Sequence, residues 1–155
     1  MEALDRTDRR IVAILQAEGR ITNAALAGRV ALSASACLAR VKRLEAAGVI
    51  AGYGARLSPE KLGPALMLHA EVTLARHEPE DFRQVEALFR AEPRVLEASE
   101  ISGRSDYLLS VWVADMAEWR ALSAQWTAGP WGILRVTSQV VMHRTKPFAG
   151  YPVDR

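Results

Sequence analysis

Near the start of this 155-residue chain, two short segments of helical periodicity lie only two or three residues apart, and that spacing constrains the fold more than any other feature. Thr22 can cap a helix running to Arg29 or Val30, with Leu26 and Val30 inward. The next helix begins at Ser33 and is stopped by Gly48. Helices joined so tightly must cross steeply, which predicts a helix-turn-helix whose second member reads DNA. A helix ahead of the pair, between Asp5 and Gly19, has Leu4, Ile11, Ile14 and Leu15 on one face, with Asp5 or Thr7 as its cap.

An advance of about 100° per residue divides 33–48 into two unlike faces. Cys37, Leu38, Val41 and Leu44 fall on one side, and Ser35, Ala36, Ala39, Arg40, Lys42 and Arg43 on the other. The outward surface is small near the start and basic towards the end. A solvated basic face is the bland alternative; the tight helix pair favours a face that enters DNA. On that view Arg40 and Arg43, one turn apart, reach backbone or a guanine edge, and Lys42 touches phosphate from the rim. Ser33 and Ser35 at the helix N-terminus donate to phosphate or base, with capping as the competing role of Ser33.

Charge is distributed accordingly. Residues 1–56 hold nine Lys/Arg against five Asp/Glu, while 57–155 hold eleven against thirteen. A basic small module joined to a mildly acidic larger one suggests a nucleic-acid reader carrying a second function. A single cysteine excludes a disulfide framework and a cysteine-based metal cluster, and Cys37 is expected to be a packed, inert thiol. His69, His77 and His143 lack metal-ligand spacing, so no metal, cofactor or catalytic residue is expected. No apolar run approaches the ~18 residues that cross a bilayer, which predicts a cytoplasmic protein without membrane contact.

Beyond 48, the segment 49–57 (VIAGYGARL) predicts an extended strand, and Ser-Pro and Gly-Pro pairs mark a connection. The expected division is a helix-turn-helix domain over 1–53, a connecting strand and linker over 54–64, and a second domain over 65–155. In the second domain strands are expected at 67–74, 95–101, 107–113 and 136–142, and helices at 79–91 and 116–126. The βαββαβ order predicts an α+β chain ending in a ferredoxin-like sandwich, one sheet face under two helices and the other bare, apolar and available to a second subunit. Trp112, Trp119, Trp126 and Trp131 are expected in core or interface.

These pieces resemble the Lrp/AsnC, or feast/famine, family of transcription regulators. The resemblance rests on LDRTDRRIVAILQAEGRIT, LSASACLARVKRLEAAGVIAGY, SGRSDYLL and a late VVM, in the family's order over nearly the whole chain. It implies an N-terminal helix-turn-helix, a βαββαβ effector domain, double-stranded DNA and an amino acid or related metabolite as partners, and a homodimer able to build tetramers or octamers. It also implies an effector pocket at a subunit interface lined by the loop that holds Ser102, Gly103, Arg104 and Asp106. In that loop Gly103 frees backbone amides to face a carboxylate, and an ordinary hairpin with Asp106 capping the turn is the competing reading. Thr137, Ser138 and Gln139 add polar groups for a neighbouring subunit. Two other functions stay open: an architectural DNA-organising protein without effector, and a ferredoxin-like small-molecule binder whose N-terminal helices only mediate assembly.

Three departures from the family pattern stand out. Ala31 replaces a usual glycine before the reading helix, which costs about 1 kcal/mol if the site has positive φ. Ala34 replaces a frequent proline. TAGPWGILR replaces a simpler Pro-Gly-Val, bringing the unusual Trp131.

Overall fold

A computed structural model describes residues 3–153, and it divides the chain into two compact units. One comprises the chain up to Leu57 together with the segment from Lys146 onward; the other is Ser58–Thr145. The division expected from sequence places 146 onward with the second domain instead.

The first unit holds α1 (Arg6–Ala17), α2 (Asn23–Arg29) and α3 (Ala34–Ala46). Asp5, Thr22 and Ser33 cap them, each accepting from the backbone N–H three residues on. Ile11, Ile14, Leu26, Ala27, Val30, Cys37 and Leu44 form the core. Burial pushes the Cys37 thiol pKa up, in keeping with an inert packed group. Leu38 departs from the expected inward set and is 44% exposed. At 100° per residue the buried direction is fixed by Cys37 and Leu44, which carries Leu38 round to the solvent side.

Helices α2 and α3 meet at 99°. The turn between them is a Schellman closure: Leu32 N–H donates to the Ala27 carbonyl and Ala31 N–H to the Gly28 carbonyl. That closure needs a left-handed residue at its hinge, and Ala31 occupies it at φ +56°, the only non-glycine positive φ among the described residues. Helix α3 ends in the same motif, with Gly48 at φ +70° filling the equivalent position without strain. Ala31→Gly is therefore expected to stabilise the first unit by about 0.5–1 kcal/mol, the relief of left-handed strain exceeding glycine's extra chain entropy. A higher urea midpoint with unchanged slope would show it; an unchanged or lower midpoint would mean that the alanine is relaxed there.

The predicted strand at 49–57 does not form. Among the described residues no strand lies alongside it, and its two glycines make an unpaired extended segment entropically costly. A 3₁₀ turn at Pro59–Lys61 follows.

The second unit is β1 (Leu66–Leu74), α4 (Pro79–Ala91), β2 (Val95–Glu100), β3 (Tyr107–Val113), α5 (Met116–Ala128) and β4 (Ile133–Val140). The sheet order is β2-β3-β1-β4, antiparallel throughout, as a ferredoxin-like sandwich requires. Strand β4 begins three residues earlier than the sequence suggests, because Ile133 pairs with Leu74 and is buried. Alternate residues Leu68, Ala70, Val72 and Leu74 of β1 and Tyr107, Leu109, Val111 and Val113 of β3 face Val85, Phe89, Trp119, Leu122 and Trp126 of the helices. Trp131 packs against this core and lies over Gly129, where any Cβ would fall inside its ring.

The opposite sheet face is mixed rather than bare and apolar. Its middle rows carry His69, Glu71, Ser110, Thr137 and Gln139, and Ser110 Oγ lies 3.3 Å from His69 Nδ1. Apolar side chains gather at one end, where Met67 and Trp112 join Leu62 and the exposed Leu96 around a cleft of about 310 Å³.

Arg94 ties the start of β2 to α5: it donates to Glu92 through Nε (2.6 Å) and Nη2 (2.8 Å), and to Glu118 through Nη1 (3.1 Å). These donors hold the Glu92 carboxyl below its usual range. A carboxylate depressed in the folded state binds protons less readily than in the unfolded chain, so its stabilisation is present above about pH 4.3 and fades as pH falls below that. The melting temperature of the second unit is expected to drop through this acid range, and Glu92→Gln is expected to lower it at neutral pH while flattening the acid slope. Calorimetry with and without the substitution checks both; parallel slopes would remove Glu92 from the account.

Candidate nucleic-acid interface and effector loop

The solvent side of α3 differs from its expected form in one respect. Ser35, Ala36, Ala39 and Lys42 are exposed, and Ser33 is a cap whose hydroxyl also lies 3.2 Å from Ser35 Oγ. Arg43 is exposed and Arg40 half-buried, yet both guanidiniums turn back towards α1. Arg40 Nη1 donates to Asp8 Oδ1 (2.9 Å) and to Asp5, and Arg43 Nη2 donates to Asp8 Oδ2 (2.7 Å). Asp8 is 1% exposed. The cause is electrostatic: a buried carboxylate needs cationic donors, and guanidiniums on the neighbouring helix supply them. Arg40 in turn holds the Asp5 carboxyl below its ordinary range. The outward stripe of α3 is thus Ser35, Leu38, Ala39 and Lys42, small in its first half, with the exposed Arg43 at its edge paired to Asp8.

In the second unit, the loop 102–106 exposes Ser102, Gly103 and Arg104, and Gly103 has φ +125°. Asp106 is already committed: Oδ2 accepts from Leu74 N–H (2.7 Å) and Oδ1 lies 2.8 Å from His77 Nε2. It fixes the start of β3 to the end of β1. Thr137 and Gln139 stand on the open sheet face, whereas Ser138 points to the helices and accepts from Trp119 Nε1 (3.0 Å). Ser138 therefore does not share a side of β4 with Thr137 and Gln139.

Glu71 joins the remaining pieces, and sequence reasoning missed it. Its carboxylate accepts from Ser105 Oγ (3.1 Å) on the loop and from Gln139 Nε2 (3.3 Å) on β4, and it sits opposite Thr137. The available signal was a carboxylate on the polar side of an alternating strand, MLHAEVTL, between His69 and Thr73. Together the loop amides and Arg104 suit an anion, and Glu71 suits a cation, on one polar patch.

The chain matches the winged helix-turn-helix DNA-binding family over residues 4–51 and the Lrp/AsnC ligand-binding domain over 68–150. It belongs to the Lrp/AsnC family. Among its relatives, the leucine-responsive regulatory protein of Haemophilus influenzae is 42% identical over 145 residues, covering 94% of this chain and 87% of that one. That of Escherichia coli K12 is 40% identical over 143 residues, covering 92% and 87%. A Neisseria meningitidis transcriptional regulator solved with L-methionine superposes with TM-score 0.89 at 34% identity, covering 98% of both chains. An AsnC family regulator from Agrobacterium tumefaciens gives 0.88 at 32%, covering 97% and 98%. This Lrp/AsnC member is accordingly a DNA-binding transcription regulator, not an enzyme. Among the described residues no single helix is long and apolar enough to cross a membrane.

Proposed function

We propose that this regulator binds double-stranded DNA as a homodimer through Ser35, Ala36, Ala39 and Lys42 of α3, and answers to an amino acid held near loop 102–106. The carrying observation is the pairing of an exposed, small-residue stripe on a steeply crossed helix with a separate polar patch that offers donors and a carboxylate together. The L-methionine bound by the Neisseria relative supports an amino acid as ligand. Zwitterion recognition then divides between Ser102, Gly103 and Arg104 for the carboxylate and Glu71 for the ammonium group, with Thr137 and Gln139 alongside. Arg40 and Arg43 act mainly by fixing α3 against α1. Dimer formation uses the open sheet face, where Leu62, Leu96, Met67 and Trp112 supply the apolar area and further assembly to tetramers or octamers builds on it. Two reading helices in such a dimer favour a roughly palindromic site with half-sites about one helical turn apart. A DNA reader of this kind works in the cytoplasm.

Gel shifts on DNA selected by the protein, run with each common amino acid, test this reading. One of them is expected to change affinity about tenfold. Affinity indifferent to all of them, with protection spreading along the DNA, would replace it with an architectural role.

A further inference from the structure

The chain leaves the first unit after Leu57 and re-enters it at Lys146, and both crossings are fastened to the last turn of α1. Arg56, at the exit, donates from Nη2 to the Gln16 carbonyl (2.8 Å) and to the Ala149 carbonyl (3.0 Å), clasping outgoing and returning segments together. The Gln16 side chain reads the returning main chain in both directions: Oε1 accepts from Tyr151 N–H (2.6 Å) and Nε2 donates to the Tyr151 carbonyl (3.0 Å). Gly150 sits at φ +125°, where a side chain is strained, and a Cβ there would lie 2.8 Å from Gln16 Oε1 and displace that amide. Ala13 and Ala17 leave the face of α1 clear. These contacts are exposed, and the Phe148 and Tyr151 rings pack on each other, 5.0 Å apart. Exposed hydrogen bonds each contribute little net stability, so the segment is seated in a defined way but weakly.

We propose that this face of α1 is a docking surface for the chain's own C-terminal segment, and that its seating and release carry the effector signal to the DNA-binding unit. The segment continues β4, the strand bearing Thr137 and Gln139, after only residues 141–145. A ligand held against β4 therefore acts on the strand whose continuation is fastened to α1. It shifts the docking equilibrium to the extent that it binds one of the two states better. The inference rests on the amino-acid-responsive reading above.

The test uses the full chain with Gln16→Ala and Gly150→Val, probed by amide hydrogen exchange and by gel shifts with each common amino acid. Wild type is expected to protect the Tyr151 amide, and to change that protection when the active amino acid is added. Both variants are expected to lose the protection, hold DNA affinity at the released-state value with or without ligand, and so shrink the ligand-induced change at least about fivefold. Variants that release the segment yet respond to ligand as wild type would overturn the signalling role. Unprotected Tyr151 in wild type would overturn the docking itself. A wild type with a protected segment but no response to any amino acid would overturn the effector reading, and the signalling role with it.

Discussion

Replacing Asp8 with alanine is expected to destabilise the DNA-binding unit by about 3 kcal/mol, a large share of what a small unit has. Asp8 is buried between α1 and α3, and its carboxylate takes donors from Arg40 and Arg43 and also lies 3.3 Å from Asp5 N–H in a reciprocal capping box. Truncation removes the anion that two guanidiniums on α3 are arranged around. The loss stays at the lower end of the range for broken buried pairs because the Arg40 and Arg43 side chains retain 31% and 47% exposure and can turn to water. Asp8→Asn keeps the shape and the cap and loses the charge, so about half the effect is expected. The four tryptophans all lie in the second unit, which separates the two signals. In urea, the helical circular dichroism of Asp8→Ala should fall at lower concentration while the tryptophan transition stays in place. An unshifted dichroism transition would reduce the network to surface ornament. The same geometry changes how Arg40→Ala and Arg43→Ala would be interpreted: weakened DNA binding would come with a loosened α1–α3 packing, so stability has to be measured beside affinity.

Local chemistry made much of the fold legible, and its limits have a common physical origin. Ser33 and Gly48 bracket α3, and Pro79 starts α4, because capping depends on neighbours a few residues away. Even the positive φ at Ala31 follows from two helices joined within three residues. What escaped depends on distant partners. Arg40 meets Asp8 across 32 residues, a pairing that helical periodicity does not encode. The start of β4 is set by pairing with Leu74, and 49–57 stays irregular because no described strand lies beside it. Glu71 gains its place from Ser105 and Gln139, and residues 146–153 gain theirs from Gln16, 135 residues from Tyr151. In the candidate site, the loop at Gly103 was legible as a turn, whereas the opposite orientations of Ser138 and Gln139 required the register of β4 against β1.

The second large effect is expected at Ala39. Ser35, Ala39 and Lys42 lie on one side of α3, opposite the buried Cys37 and Leu44. An α-helix with its side chains is about 10–12 Å across and the major groove about 12 Å wide, so only small residues on the leading face let the helix seat deeply. Ala39→Glu puts a longer anionic side chain there, opposing both the fit and the phosphate field. DNA affinity is expected to fall at least about 100-fold, roughly 2.7 kcal/mol, with a smaller loss at high salt, where repulsion is screened. Stability should change by no more than about 0.5 kcal/mol, since the position is exposed and glutamate is a good helix former. Lys42→Ala provides the contrast: on the proposed reading it removes one charge facing phosphate, so binding is expected to weaken similarly on every sequence and the salt slope to fall by about one. Fluorescence anisotropy with labelled duplex across a salt series separates the two. If Ala39→Glu bound as wild type, α3 would not be the reading surface. The groove lined by Arg6, Arg9, Arg10 and Arg29 on α1 and α2 would then be the next basic face to test.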